Sequence, residues 1–225
     1  MQSEQEHPPI NVLTNTIILL CGPAGSGKDT SYEILKNHLF SQNCNWEISK
    51  YSFGRALKDI VVDLSRLFIN ANFSADAMDG LAYKEVIRPE YKLYVVGSDE
   101  QPQPLVIRTL LQQVGTDILR KQLGDDIFAK ALITKIDEQF KKPINQIAIV
   151  ADLRFPNEQQ SMIEFCNKNG YKCITIYIER NSRINNAAHS SESYYNSLQK
   201  DIIINNNGTL HDLSENLRVI RNASC

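Results

Sequence analysis

No apolar run in the sequence approaches the roughly 20 residues that a helix needs to cross a bilayer, so none of it reads as a membrane span. The first fifteen residues, MQSEQEHPPINVLTN, lack the basic start and apolar stretch of a signal peptide and read as a loose polar tail, 1–15. Positive charge is not in excess. Lys and Arg number 24 against 26 Asp and Glu, a formal charge of -2, which provides no bulk field for wrapping nucleic acid, although a local arginine cluster can still grip phosphates. Cysteine is sparse: Cys21, Cys44, Cys166, Cys173 and Cys225 are odd in number, scattered and without metal-ligand spacing. Neither a disulfide framework nor a zinc site is expected, and free thiols suit a reducing cytoplasm. Internal repeats and low-complexity tracts are also missing, which leaves solenoids and linkers out. The 225 residues fit one domain, or one with a large insertion, against a prior of about 150 residues per domain. The expected partner is a small anion.

What the sequence does contain is the stretch Thr16 to Thr30, TIILLCGPAGSGKDT. A strand-length apolar run, Ile17 to Cys21, enters the glycine-rich turn Gly22-Pro23-Ala24-Gly25-Ser26-Gly27-Lys28, and a helix-like segment follows. Glycines let the backbone curl until successive N–H groups face one concavity, and the following helix presents its positive end there. A triphosphate fits such a nest, with Lys28 as a mobile point charge for the outer phosphates. Asp29 stands directly after the lysine, where Ser or Thr is usual, and Thr30 comes one residue later.

Strand and helix signals then alternate. Tyr32, Leu35 and Leu39 recur at helical spacing, 46–53 is rich in strand-forming residue types, and an amphipathic helix begins at Arg55. Residues 70–104 show no sustained period and read as an insertion, with partial helix over 78–87 and a loop over 97–104. Ile107, Leu110, Leu111, Val114 and Ile118 form a 3.6-residue stripe that places Gln113, Thr116, Asp117 and Arg120 on a polar face. Helix is predicted again from Phe128 to Phe140, and Gln146 to Ala151 is a continuous apolar strand of the kind buried on both faces. It ends at Asp152, at the carboxyl end of a strand, where open α/β sheets bind ligands; Arg154 and Glu158 follow, with Pro156 opening a helix. A fourth strand covers 172–178, Arg180 and Arg183 follow it, a fifth strand covers 201–204, and a last helix carries Leu210, Leu213, Leu217 and Ile220. A parallel sheet with right-handed crossovers is the economical fold.

Four motifs in order resemble phage-type deoxynucleoside-monophosphate kinases: Gly25-Ser26-Gly27-Lys28-Asp29-Thr30, the run from Arg108 to Asp117, Asp152-Leu153-Arg154-Phe155-Pro156-Asn157-Glu158, and His189-Ser190-Ser191-Glu192. The closing DIIINNNGTLHDL also fits. Two positions depart from the pattern, Ala24 at a loop site basic in some relatives and Arg55 where proline is common. The resemblance implies a P-loop kinase fold of class α/β, a five-stranded parallel sheet flanked by helices, with a helical acceptor-binding insertion over 55–125 and a short lid over 180–196, the domain covering 16–225. It implies ATP as phosphoryl donor, Mg2+ as cofactor, deoxynucleoside 5'-monophosphates as acceptors, nucleotides as the only partners, a monomer or homodimer, and a cytoplasmic setting, the host's if phage-encoded. Ala24 through Thr30 with Asn207 and Gly208 then bind ATP, and Asp29 and Thr30 serve the metal. Lys28, Arg154, Arg180 and Arg183 carry the transfer. Lys58, Arg108, Gln112, Gln113, Asp117, Phe128, Asp152, Arg154 and Glu158 bind the acceptor, Phe128 as an aromatic wall for the base. For Asp152 and Glu158 a sugar hydroxyl, a magnesium-bound water and the orientation of an arginine all remain open. Two other readings are a P-loop kinase of a different phosphorylated acceptor, phosphomevalonate-like, and an ATP-dependent switch that transfers nothing. Gln112, Gln113 and Phe128 weigh against the first, since amides and an aromatic ring suit a nucleobase. The arginines after the fourth strand weigh against the second.

Overall fold

The computed structural model describes residues 10–12, 14–42, 46–94, 101–180 and 193–222. In chain order the elements are β1 (Ile10–Val12), β2 (Thr16–Cys21), α1 (Lys28–Gln42), β3 (Glu47–Tyr51), α2 (Arg55–Ile69), α3 (Leu81–Glu85), β4 (Ile87–Leu93), β5 (Gln103–Val106), α4 (Ile107–Gln112), α5 (Lys121–Leu123), α6 (Ile127–Phe140), β6 (Gln146–Val150), α7 (Pro156–Asn169), β7 (Lys172–Glu179), β8 (Ile202–Asn205), α8 (Leu210–Leu217) and β9 (Ile220–Asn222). Two compact units result, one built from residues 1–52 and 132–225, the other from 53–131.

The first unit is organised around a five-stranded sheet in the order β3-β6-β2-β7-β8. Every pairing is parallel, with Ile18 in register with Ile149 on one side and Ile174 on the other. β2 is the middle strand and all six of its residues are buried, the near-continuous hydrophobic run that a strand covered on both faces requires. Alternation sends Ile18 and Leu20 toward Tyr32, Leu35 and Leu39 of α1 and Leu213 and Leu217 of α8, which form one cluster. On the other face α7 is tied down through Gln159, whose Nε2 donates to Thr175 Oγ1 at 2.9 Å in β7. α7 closes at Gly170, where φ of 67° supplies the left-handed turn and the Gly170 N–H bonds the Cys166 carbonyl.

The tail is shorter than the sequence predicted. Residues 10–12 pair in parallel with Ile220–Asn222, a contact between chain ends that a three-residue strand cannot announce by periodicity. The last helix therefore stops at Leu217, and Ile220, expected on it, lies in β9.

In the second unit, Val61, Ala71, Phe73, Met78, Leu105, Ile107 and Val114 make a separate core. The insertion is not all helical. A single 3₁₀ turn, Ala77–Asp79, and the short α3 stand where partial helix was expected, and β4 and β5 form an antiparallel hairpin. Its burial is irregular along β4, and the pairing shifts register between Arg88 and Lys92, so no alternation was there to read. Residues 97–100 of the expected loop lie outside the described residues, and Gln103 and Pro104 belong to β5.

The striped helix also departs from a 3.6-residue period. After α4 the backbone runs as a π-helix over Gln113–Arg120 before α5. Wider turns swing Gln113, Val114 and Gly115 inward and leave Ile118, predicted to face the core, 45% exposed. Gly115 allows this packing, since a Cβ there would sit 2.7 Å from Leu57 Cδ2 of α2.

Candidate active site

The glycine turn after β2 is built by two close approaches. Gly22 has φ of 140°, and a Cβ on it would lie 2.4 Å from the carbonyl oxygen of Ile178 in β7. Gly27 has φ of 100°, and its Cβ would lie 2.4 Å from Asn206 Nδ2. No side chain fits at either position, and only glycine adopts the backbone without strain. Ser26 N–H closes the turn onto the Pro23 carbonyl at 3.1 Å, and Ser31 N–H to the Gly27 carbonyl at 2.8 Å starts α1. The open N–H groups of a helix's first turn thus lie at the carboxyl end of the central strand, as an anion site requires.

Asn206 fastens this loop from the far side of β7. Its N–H donates to the Glu179 carbonyl at 2.8 Å, and its buried Nδ2 donates to the Ser26 carbonyl at 2.7 Å. Sequence reasoning put ATP binding on Asn207 and Gly208. These are exposed, and they shape the entry to α8: Asn207 N–H bonds Asn205 Oδ1 at 2.9 Å, and a Cβ on Gly208 would meet Asp212 Oδ2 at 2.4 Å. Asp212 there completes a capping box with Thr209, whose N–H holds the carboxyl below its usual range. A signal for Asn206 was available, because buried Ile202 and Ile204 of β8 put the next inward position at 206.

Lys28 Nζ donates to the carbonyls of Gly22 and Pro23 at 2.7 and 2.8 Å. Burial lowers its pKa, and the nearby Arg154 guanidinium adds to this, while Asp29, Cys21 and Asp152 pull the other way. The Cys21 thiol, buried below the loop, is pushed up to about 12 and stays protonated. Arg180 Nη1 reaches the Gly25 carbonyl at 3.4 Å. Arg183 lies outside the described residues, as does 181–192 of the expected lid. Ala24 is exposed on the loop, and the buried hydroxyls of Ser26 and Ser31 have no hydrogen-bond partner.

Asp29 and Thr30 are exposed in the first turn of α1. Asp29 Oδ1 accepts from Lys50 Nζ at 2.8 Å, and that ammonium also lies 4.9 Å from the centroid of the buried Tyr32 ring. Lys50, on β3, was not singled out from the sequence; it stands near the end of a strand whose neighbours alternate without a motif. Oxygen donors such as Asp29 and Thr30 fit magnesium, which prefers a few carboxylate or hydroxyl contacts supplemented by phosphate and water. Among the described residues no cluster of three His, Cys, Asp or Glu offers a dedicated metal cage.

The turn after β6 lies over the same end of the sheet. Leu153 N–H bonds the Leu20 carbonyl at 3.2 Å and Ala151 N–H bonds that of Tyr51 at 3.2 Å. Asp152 Oδ2 accepts from Ser52 Oγ at 2.7 Å. Glu158 is 2% exposed, and its Oε2 accepts the N–H groups of Arg154 and Phe155 at 3.3 and 3.2 Å. It therefore fixes the backbone that carries Arg154, whose side chain is exposed.

The remaining acceptor candidates belong to the second unit. Lys58 is paired with Asp79, Arg108 with Glu85, and Asp117 with Lys121 at 2.7 Å. Gln112 is exposed. Gln113 is 7% exposed, and its Nε2 is buried with no hydrogen-bond partner. Phe128 is buried with the Arg120 guanidinium 5.1 Å over its ring, and Arg120 Nη1 bonds the Asp125 carbonyl at 3.1 Å. Arg88 was missed altogether: it is buried between the Phe73 and Tyr83 rings, at 5.2 and 4.8 Å, and donates to the Val86 and Tyr83 carbonyls. Its place in an unperiodic hairpin gave no sequence signal.

One cavity of about 820 Å3, lined by Asn15, Trp46, Glu47, Lys142, Pro143, Ile144 and Asn145, lies by the amino ends of β2, β3 and β6, the opposite end of the sheet from the glycine loop. The loop, and not this cavity, carries the groups suited to phosphate chemistry.

A glycine loop at the carboxyl end of the central parallel strand, closed by a lysine at a helix start, defines a P-loop phosphotransferase. A family model for deoxynucleotide monophosphate kinase matches residues 45–217. The chain belongs to that family and is a nucleotide kinase. The matched stretch begins after the glycine loop, so the two observations are separate. Solved structures similar to the chain include the APS kinase of Mycobacterium tuberculosis in complex with AMPPNP and APS, 7% identical over 90% of this chain and 95% of that one, with a TM-score of 0.44. The tunicamycin resistance protein of Deinococcus radiodurans is 10% identical over 90% and 93%, with a TM-score of 0.44. A sugar kinase from Janibacter sp. HTCC2649 is 11% identical over 90% and 91%, with a TM-score of 0.40. No curated protein matches the chain. No helix among the described residues is long and apolar enough to cross a membrane.

Proposed function

We propose that the protein transfers the γ-phosphoryl group of ATP to deoxynucleoside 5'-monophosphates, forming diphosphates for DNA precursor supply. The observation that carries this reading is the family match over residues 45–217, preceded by a complete phosphate loop. Phosphoryl transfer asks little covalent chemistry of a protein and depends on alignment and on neutralising the moving group's charge. Lys28 supplies that charge to the donor's outer phosphates, and Arg180, already against the loop at Gly25, closes on the same group. Magnesium, when bound near Asp29 and Thr30, bridges phosphate oxygens and neutralises them. Arg154 binds the acceptor phosphate, on a turn that Glu158 holds rigid. The acceptor oxygen is already anionic, so no general base is needed.

On the acceptor side the buried, unpartnered amide of Gln113 supports base recognition. An unmade buried hydrogen bond costs about 1–3 kcal/mol, and a nucleobase edge offers the missing partner. Lys58, Arg108, Gln112 and Asp117 complete the acceptor set, with exposed ion pairs that are weak enough to exchange for phosphate. Phe128 and Arg120 together present a stacked pair in place of a bare aromatic wall.

The test is a panel of the four deoxynucleoside monophosphates with ATP and magnesium, scored for diphosphate product, with the ribonucleotides alongside. A pocket that merely offers an added hydroxyl no partner discriminates by about 100-fold, and a ratio of that order is expected for dGMP over GMP and dCMP over CMP. Equal kcat/KM within each pair removes the deoxy assignment; no diphosphate from any monophosphate removes the function.

A further inference from the structure

Helix α2 has more apolar surface than its own unit covers. At about 100° per residue, Ile60, Leu64, Leu67 and Phe68 share an arc of about 100°, and Leu57, Val61 and Ile69 extend it to about 200°. The second part of that arc packs into the core with Val61 fully buried. The first part does not: Ile60 is 36%, Leu64 38%, Leu67 75% and Phe68 78% exposed. A surface helix needs one apolar face of roughly 100°, and this one carries a second.

We infer that this stripe is the contact of a symmetric homodimer, in which α2 packs antiparallel against α2 of a second copy about a two-fold axis near Leu64. Two observations point to a copy of the same chain. The first is area. The four side chains leave on the order of 400 Å2 of apolar surface in water, the scale of the largest patch on a typical monomer. Doubled across a two-fold axis this is about 800 Å2, and at an apolar share near 60% it corresponds to about 1,300 Å2 in total, within the range of stable interfaces. The second is charge. Asp63 and Arg66 border the stripe and are joined within the helix only loosely, at 3.8 Å and with both side chains more than half exposed. Antiparallel pairing around Leu64 brings Asp63 of each copy opposite Arg66 of the other, an isologous arrangement in which one patch complements itself.

Sedimentation velocity on the full chain, from about 1 to about 100 µM, spans the affinity of a modest interface of this size. A concentration-dependent dimer is expected. Phe68→Glu combined with Leu67→Glu should weaken it at least tenfold while leaving the circular dichroism spectrum and kcat unchanged, since neither residue belongs to the phosphate loop or the acceptor set. Asp63→Arg should also weaken it, and adding Arg66→Asp to that variant should restore it. A parent chain that stays monomeric at 100 µM overturns the inference. So does a dimer indifferent to Phe68→Glu, or one that the charge swap fails to rescue.

Discussion

The bond from Asn206 to the loop offers a direct test of preorganisation. Asn206→Ala removes the 2.7 Å donation to the Ser26 carbonyl and leaves that buried acceptor without its partner. Such a loss costs about 1–3 kcal/mol. Two outcomes share that sum. Whatever part falls on the folded state as a whole lowers Tm by about 2–4 °C per kcal/mol for a chain of this size. Whatever part falls on the loop's shape appears in nucleotide affinity, where 1–3 kcal/mol is about 5- to 150-fold. Isothermal titration with ATP and magnesium, beside thermal melting, separates the two. The expected result is a Kd raised at least fivefold with a fall in Tm of a few degrees. Gly27→Ala supplies a second arm, because its new Cβ meets Asn206 Nδ2 at 2.4 Å. In the Asn206→Ala background that clash disappears, though φ of 100° still strains the alanine, so the double variant should lose less than the sum of the singles by about 0.5 kcal/mol or more. An ATP Kd within twofold of the parent, together with a lowered Tm, would refute the argument and leave Asn206 a purely structural anchor.

Lys28→Ala should lower kcat at least about 100-fold, the scale of removing one preorganised donor, and a change below about tenfold would take the loop out of the mechanism. Because burial and Arg154 lower the Lys28 pKa, the free protein loses this proton at a lower pH than an ordinary lysine near 10.4. ATP binds the protonated form, so its affinity should fall with rising pH earlier than a normal lysine allows, and titration of the Lys28→Met variant should show no such fall. Arg154→Lys should stay folded yet lose much of its kcat/KM, since an ammonium cannot reproduce a two-pronged contact; near-parent activity would make the residue peripheral. Gln113→Leu removes a buried amide that has no partner, so Tm should hold or rise while acceptor kcat/KM falls at least tenfold, and unchanged kinetics would deny it a role in base recognition.

The parallel sheet was legible because its central strands are unbroken apolar runs: Ile17 to Cys21 and Ile147 to Val150 are fully buried, and little else explains such segments. The phosphate loop was legible because its spacing is dictated by backbone geometry, and the structure assigns the two approaches at Gly22 and Gly27 that demand glycine. What stayed hidden depends on partners far along the chain. Asn206 meets Ser26 across 180 positions, and the β1 pairing joins residues 10–12 to 220–222. Lys50 reads as an exposed strand residue until β3 lies beside α1. The π-helix over Gln113–Arg120 defeats any reading at 3.6 residues per turn, and π-turns occur often at functional sites. There the sequence placed Gln113 on a polar face, whereas the wider turn buries it.

The cations of the first unit show how the loop can be ready for a polyphosphate while holding none. Lys28 rests on two loop carbonyls, Arg180 on a third and Lys50 on Asp29. A carbonyl carries only a partial charge, so Lys28 exchanges a neutral acceptor for an anionic one when phosphate enters, and charge-assisted bonds are roughly twice as strong as neutral ones. Burial magnifies the difference, since the same desolvation that lowers the Lys28 pKa also leaves less water to screen the new contact. The gain then comes from a change of partner with little change of position. That is the condition for electrostatic catalysis without reorganisation, and it explains why the loop is anchored at Asn206, outside the nest itself: an anchor inside would compete with the phosphate for the same N–H groups.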